Sequence, residues 1–165
     1  MDVQDAPIKS VSEAETALHP FVSRQQRAAM RDLSHSSEEE GFFQEKLLEF
    51  GNRVASMPKT YDQDGKGDEA VAYLHYFHGG SDWYITEKDV DGGIEQAFGY
   101  TVLNGDTENA ELGYISIAEL TECGVDLDLH FEPRTLREVK AEIHARERRA
   151  SHTRSVKRRR QGMER

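Results

Sequence analysis

Five side chains near the middle of the chain are of the types that bind metals or transfer protons: His75, His78, Asp82, Glu87 and His130. A zinc or hydrolytic site needs three or four such groups to converge on one point. His75 and His78 lie three residues apart in a segment of strand composition, so a regular strand would direct them to opposite faces. The chain also lacks a His-x-x-x-His pair with a helical Glu. These residues therefore favour structural polar groups over a metal or catalytic site.

The other candidates for chemistry also have simpler structural interpretations. Cys123 is the single cysteine, has no positioned base beside it and precedes a helix-ending Gly, so we expect a buried, inert thiol. The acidic loop at 60–68 is not an EF-hand, because, counted from Asp62, Lys66 and Tyr73 occupy the fifth and twelfth positions, where oxygen ligands are needed. Two Gly-Gly pairs lack the spacing of phosphate-binding loops. We expect no catalytic residues, no cofactor and no metal, and we do not expect an enzyme.

The carboxyl end of the chain is strongly basic, although the formal net charge is −10. Residues 134–165 hold 12 Lys and Arg against 4 Glu, whereas residues 1–133 hold 9 Lys and Arg against 27 Asp and Glu. A basic segment of this kind binds nucleic acid by releasing counterions from phosphates. No aromatic residue is interleaved, so base stacking and sequence reading are not expected. The candidate residues for binding nucleic acid or an acidic partner are Arg146, Arg148, Arg149, Arg154, Lys157, Arg158, Arg159 and Arg160.

Other roles for these charges stay open at this level. The basic arm could remain a solvated tail or fold against the protein's own acidic body. The acidic body could imitate a phosphate backbone and occupy a host nuclease complex, as a counter-defence protein of the anti-restriction or anti-CRISPR type would. Ordinary solubility also explains an excess of carboxylates.

The sequence patterns of the strands and helices that must position these residues predict an α+β domain. Five runs rich in aromatic and β-branched residues are separated by Gly, Asp and Asn clusters, which is typical of a small, mainly antiparallel five-stranded sheet. In the last run Leu127, Leu129 and Phe131 alternate with polar residues, so we expect these three to share one face. The runs are 70–77, 82–87, 96–103, 111–116 and 127–131.

Two or three helices are predicted to pack on this sheet. Capping boxes mark four helix starts, at Ser23, Ser36, Ser116 and Thr135. Behind the second start, apolar residues recur at helical spacing until Pro58, which predicts a helix at 37–57 over one face of the sheet. The apolar residues of that stripe are Phe43, Leu47, Phe50, Val54 and Met57. The last helix loses its apolar positions after two turns, so we expect it to run into solvent as a basic arm.

The chain thus divides into a disordered amino terminus at 1–20, one domain at 21–146 and the basic arm at 147–165. Within the domain we expect helices at 21–58, the sheet at 69–133 and a helix at 135–146. A length of 165 residues suits one domain with a core, but not two.

One cysteine excludes an internal disulfide framework, and no apolar run approaches the roughly 20 residues that span a bilayer. The amino end lacks signal-peptide features, so we expect a cytoplasmic protein without a membrane partner.

Four ordered motifs in the sheet segment resemble those of one known family, whose strands read W-x-x-T-E, A-F-G, L-G-Y-x-S-x-x-E-L and D-L-x-F. The corresponding segments here are 83–87, 97–99, 112–120 and 128–131. The family is the domain of unknown function 2958, and the similarity covers about residues 73–139. Its members are carried by plasmids, phages and integrative elements, and it supplies no catalytic residues to transfer. The resemblance implies an interaction or accessory protein of a mobile genetic element, acting on nucleic acid or on a complex that handles it.

Overall fold

The computed structural model describes residues 6–34 and 38–163. Its strands are β1 (Val71–Ala72), β2 (Leu74–His78), β3 (Ser81–Glu87), β4 (Ala97–Val102), β5 (Glu111–Ile115), β6 (Asp126–Leu127) and β7 (Arg134–Thr135). Five of them form an antiparallel sheet in the order β5-β4-β3-β2-β6, and β1 pairs with β7 in a separate two-stranded sheet. The predicted α+β class with a five-stranded antiparallel sheet is confirmed.

The helices are α1 (Val11–Leu18), α2 (Arg24–Ser34), α3 (Glu40–Ser56), α4 (Ile117–Glu122) and α5 (Leu136–Met163). Three of the predicted capping boxes have their N-cap hydrogen bond, but Gln26 bonds to the backbone of Leu127 instead of returning to the Ser23 amide. The hydroxyls of Ser23, Ser116 and Thr135 each accept a hydrogen bond from the amide three residues later, at 3.1–3.2 Å. The fourth, at Ser36, lies outside the described residues, and α3 begins at Glu40 instead of at 37.

The first face of the sheet supports the larger core. The predicted stripe on α3 is buried along its whole length, and most of it packs with α1, α2 and the inward residues of the sheet. Tyr76 of β2 is fully buried here, and its hydroxyl donates to the carbonyl of Phe21 at 2.6 Å. Burial raises the pKa of Tyr76 far above its ordinary value, because the phenolate would lose its hydration.

The second face of the sheet is covered by the first turns of α5. Leu136, Val139 and Ile143 pack on aromatic side chains of β3 and β4, and the apolar positions end there, as the sequence indicated. Two ion pairs fix the helix to the loop before β1: Lys140 Nζ lies 2.7 Å from Asp68, and Arg137 lies 2.8 Å from Glu69. The start of α5 is therefore a fixed part of the domain.

The amino-terminal segment corrects one prediction. Disorder was expected over 1–20, but residues from Val11 form α1, whose Ala14 and Leu18 are buried against the core. The two helices approach closely because α3 has Gly51 at the contact, where a Cβ would lie 2.7 Å from the Ala14 Cβ. This non-local contact orders a segment that is too polar to indicate a helix by itself. Residues 1–5 lie outside the described residues.

Two predicted strands are shorter than expected. The run at 70–77 is divided at Tyr73 into β1 and β2, and of the last run, 127–131, only Leu127 lies in a strand. After Leu127 the chain turns, because the Asp128 carboxylate accepts from the His130 amide at 2.9 Å. Leu127 consequently belongs to the first core and Phe131 to the second, so the predicted common face was wrong.

Candidate nucleic-acid interface

The helix α5 carries all eight basic residues that the sequence indicated. It does not end at 146 but continues to Met163, so the described part of the arm is helical. At 1.5 Å per residue, the turns from 147 to 163 extend about 25 Å. The basic side chains from Arg146 to Arg160 are all exposed. The arm is thus a helical projection that continues directly from a packed element.

The positive charges on these turns have almost no acidic side chains beside them. Between 146 and 163 there are eight Lys and Arg and one acid, Glu147, which accepts from Thr107 at 2.9 Å. Within the described parts of the chain, none of the seven basic side chains from Arg148 to Arg160 makes an ion pair or a side-chain hydrogen bond with the body. Successive helical positions are about 100° apart, so these seven residues are distributed around the axis, with Lys157 on the side opposite Arg148 and Arg159.

Arg146 differs from the other seven because it contacts the domain. Its guanidinium donates to the hydroxyl of Tyr84 at 3.3 Å. Burial raises the pKa of Tyr84 to about 12, the charge of Asp82 adds to the rise, and Arg146 opposes it. Arg146 therefore positions the arm on the sheet, and the residues beyond it are the ones free to bind a ligand.

Beside the base of the arm, His75 lies between two carboxylates. Its Nε2 is 2.7 Å from Asp82 and its Nδ1 is 3.0 Å from Asp128, while its ring stacks on Tyr84 at 4.5 Å. His75 thus joins Asp82 of β3 to Asp128, which follows β6, through its two ring nitrogens.

Of the five candidate chemical residues only His75 and Asp82 are in contact, although His75 and His130 line one shallow cleft. His75 meets Asp82, whereas His78 is exposed at the end of β2 and Glu87 is buried beneath the loop at 60–67. His130 is exposed and stacks on Phe42 at 6.3 Å. Sequence reasoning missed Asp128 as a partner of His75, because the turn that brings it there follows β6 and has no local signature.

The other candidates for chemistry were a metal cluster and the single cysteine. Among residues 6–34 and 38–163, no group of three or more His, Cys, Asp or Glu is placed to hold a metal ion. Cys123 is exposed, so the predicted burial of its thiol was wrong. It follows a helix of only six residues, α4, whose last positions face solvent.

No family model matches this chain, and no curated protein or solved structure matches it either. The resemblance to the domain of unknown function 2958 family therefore stays a prediction from the four motifs. Over the part of the chain that the structure describes, no helix is long and apolar enough to cross a membrane.

Proposed function

We propose that this protein binds nucleic acid through the outer turns of α5 and acts as a non-enzymatic accessory protein of a mobile genetic element. The observation that carries the proposal is a set of seven exposed Lys and Arg side chains, unpaired within the described residues, on a helix that projects from the domain. The resemblance of residues 73–139 to a family of mobile-element proteins supports the biological setting.

The geometry favours contact with phosphates on both sides of a groove. An α-helix with its side chains is about 10–12 Å wide, which is close to the roughly 12 Å width of the DNA major groove. Because α5 has basic side chains on opposite sides, a helix in the groove can approach the phosphates of both strands. Such contacts supply affinity by counterion release and carry no sequence information.

The acidic charge of the rest of the chain should restrict nucleic acid to the arm. Residues 1–133 carry 18 more acidic than basic side chains, so the body repels a phosphate backbone. Nucleic acid should therefore approach the outer turns of α5 and stay away from the sheet. An acidic surface on a partner protein is an alternative target of the same cations, since it offers carboxylates at comparable charge density.

A truncation tests the proposal directly. We expect the full chain to retard short DNA and RNA duplexes, and a chain that ends at Glu147 to lose this retention. That end point preserves the bonds of Arg146 to Tyr84 and of Glu147 to Thr107. The melting temperature should change little, because the removed turns are almost fully exposed. Equal retention by both chains would overturn the proposal. An arm that folds back on the body instead predicts no retention and a stability loss on truncation.

The partner class can be separated in a pull-down from a host lysate with and without nuclease treatment. Nucleic acid recovered by the full chain, and not by the truncated chain, supports the proposal. A protein complex recovered by both chains after nuclease treatment points instead to the acidic body, as DNA mimicry would require.

A further inference from the structure

A second candidate site lies on the sheet away from the arm. A cleft of about 510 Å³ opens between the loop at 60–67 and the strands β4 and β5. Its walls include the side chains of Tyr61, Phe98, Leu112 and Tyr114, and we call it the aromatic cleft. The rings of Phe98 and Tyr114 meet edge to face at 5.6 Å, and the hydroxyls of Tyr61 and Tyr114 are 2.8 Å apart. Its volume is in the range of sites that hold a side chain or a small ligand.

A β-bulge brings Glu87 into this cleft. The register of β3 against β4 shifts between Ile85 and Glu87, and Glu87 then lies opposite Phe98. Without the shift, Glu87 would share the face of Ile85, which belongs to the first core. Bulges redirect side chains in this way and are frequent beside functional sites. The sheet therefore departs from regular pairing at the point where it places a carboxylate among aromatic rings.

Glu87 is buried without a cationic partner. Only 3% of its surface is exposed. One carboxylate oxygen accepts from the Gln63 amide at 2.7 Å, and the other lies 3.3 Å from the Thr86 hydroxyl, which also lies 3.2 Å from the Phe98 carbonyl. Within the described residues no Lys, Arg or His side chain pairs with it. A buried carboxylate can accept about four hydrogen bonds and is costly without a compensating charge.

The mouth of the cleft is also electronegative and partly strained. The pKa of Tyr114 is raised, first by its hydrogen bond with Tyr61 and further by the charges of Asp64 and Glu87. Tyr61 has a φ of 83°, in the left-handed region that a bulky residue rarely adopts. The residue is nevertheless 65% exposed, so the loop holds Tyr61 in this conformation without burying it. Strained residues of this kind cluster at ligand-binding sites.

We propose that the aromatic cleft binds an arginine or lysine side chain presented by an extended segment of a partner protein. Aromatic faces attract cations through their quadrupole, and a desolvated carboxylate strengthens the attraction. A guanidinium is the better fit, since it stacks on rings and bonds a carboxylate with two parallel N–H groups. This site shares no residue with the arm, and it takes a ligand of the opposite charge.

The position of β5 favours a protein segment over a free amine. This strand is at the edge of the five-stranded sheet, so one side of its backbone is not paired within that sheet. Its Leu112 and Tyr114 are 41% and 54% exposed and both point into the cleft. An extended segment that pairs with such an edge places alternate side chains over the same face. One of these positions would carry the cationic side chain towards Glu87.

The experiment uses three probes with the full chain: the blocked peptide Thr-Val-Arg-Val-Thr, its citrulline counterpart, and N-acetyl-arginine amide. Binding is followed by NMR shifts of the ring protons of Tyr61, Phe98 and Tyr114. We expect the arginine peptide to shift these protons and to bind at least tenfold more tightly than either of the other probes. Glu87→Gln should remove the preference for arginine over citrulline. Glu111→Gln, an exposed β5 carboxylate that does not line the cleft, should leave it unchanged.

Equal binding of the arginine and citrulline peptides would overturn the cation site. Equal binding of the arginine peptide and N-acetyl-arginine amide would overturn the assignment to a protein segment. Should Glu87→Gln fail to fold, Tyr114→Leu decides, because this half-exposed side chain can be replaced without loss of the core. That variant should weaken the arginine peptide severalfold, and unchanged binding would also refute the site.

Discussion

Replacing cations of the arm by glutamine should lower the salt dependence of DNA binding in steps. The change with the clearest expected result is the double variant Arg158→Gln, Arg159→Gln, because both side chains are exposed and neither is paired within the described residues. Each phosphate that is neutralised contributes about −0.9 to the slope of log K against log salt for duplex DNA. The double variant should therefore reduce the magnitude of the slope by up to about 1.8.

The size of the full effect follows from the seven unpaired cations. These surround the helix, so four to six of them can reach phosphates at once, which gives a slope of about −4 to −5. Between about 50 and 200 mM salt the affinity of the full chain should consequently fall by roughly 10²- to 10³-fold. Fluorescence anisotropy of a short labelled duplex across this range measures the slope, and a second duplex of unrelated sequence should give the same value.

The matched control is Arg24→Gln, which removes an exposed cation from α2 on the body. It should leave the slope unchanged. The reasoning fails if Arg24→Gln and the arm variant reduce the slope equally, because the body would then share the contact. It also fails if the two duplexes differ severalfold in affinity, because phosphate contacts do not distinguish sequences.

Three further predictions concern the domain that holds the arm. Gly51→Ala should lower the free energy of unfolding by about 1–3 kcal/mol in urea titrations, because the new Cβ would lie 2.7 Å from that of Ala14. His75→Leu should cost about 1–3 kcal/mol in the same assay, since two carboxylates then lose their shared hydrogen-bond partner. Burial raises the pKa of Tyr84 from 10.0 to about 12, so the folded chain holds this proton more tightly than the unfolded chain. Stability should therefore fall as the pH rises from about 10 to about 12, and Tyr84→Phe should reduce that loss.

The features that the sequence predicted are those encoded by neighbours along the chain. The capping residues Ser23, Ser116 and Thr135 act on amides only three residues away, so their motifs could be recognised directly. The apolar stripe from Phe43 to Met57 predicted a buried helix face for the same reason. Strand composition likewise indicated five strands, although it contained no information on their order.

The features that were missed depend on distant pairs of residues. The helix α1 is ordered by contact with α3, and the sequence of α1 gives no sign that Gly51 will make room for it. Asp128 meets His75 across 53 positions of sequence, through a turn at the end of β6. The bulge that directs Glu87 into the aromatic cleft depends on pairing between two strands, so alternation along β3 alone predicts the wrong face.

The two proposed sites should work independently, because they differ in charge and share no residue. The cations in the first turns of α5 pair with acids of the body, as Lys140 does with Asp68, whereas those from Arg148 to Arg160 have no partner within the described residues. A phosphate backbone is therefore attracted to the outer turns and repelled by the body. The aromatic cleft has the opposite preference, since its buried Glu87 has no cationic partner in the part of the chain that the structure describes.

Truncation after Glu147 should consequently abolish DNA retention and leave the binding of the arginine peptide unchanged. Glu87→Gln should remove the preference for arginine over citrulline and preserve the salt slope of DNA binding. Both chains can be tested with the same duplex and the same peptide. If either change affected both ligands in a chain that still folds, the arm and the cleft would have to be parts of one surface, and the separation of charges argued from their contacts would be wrong.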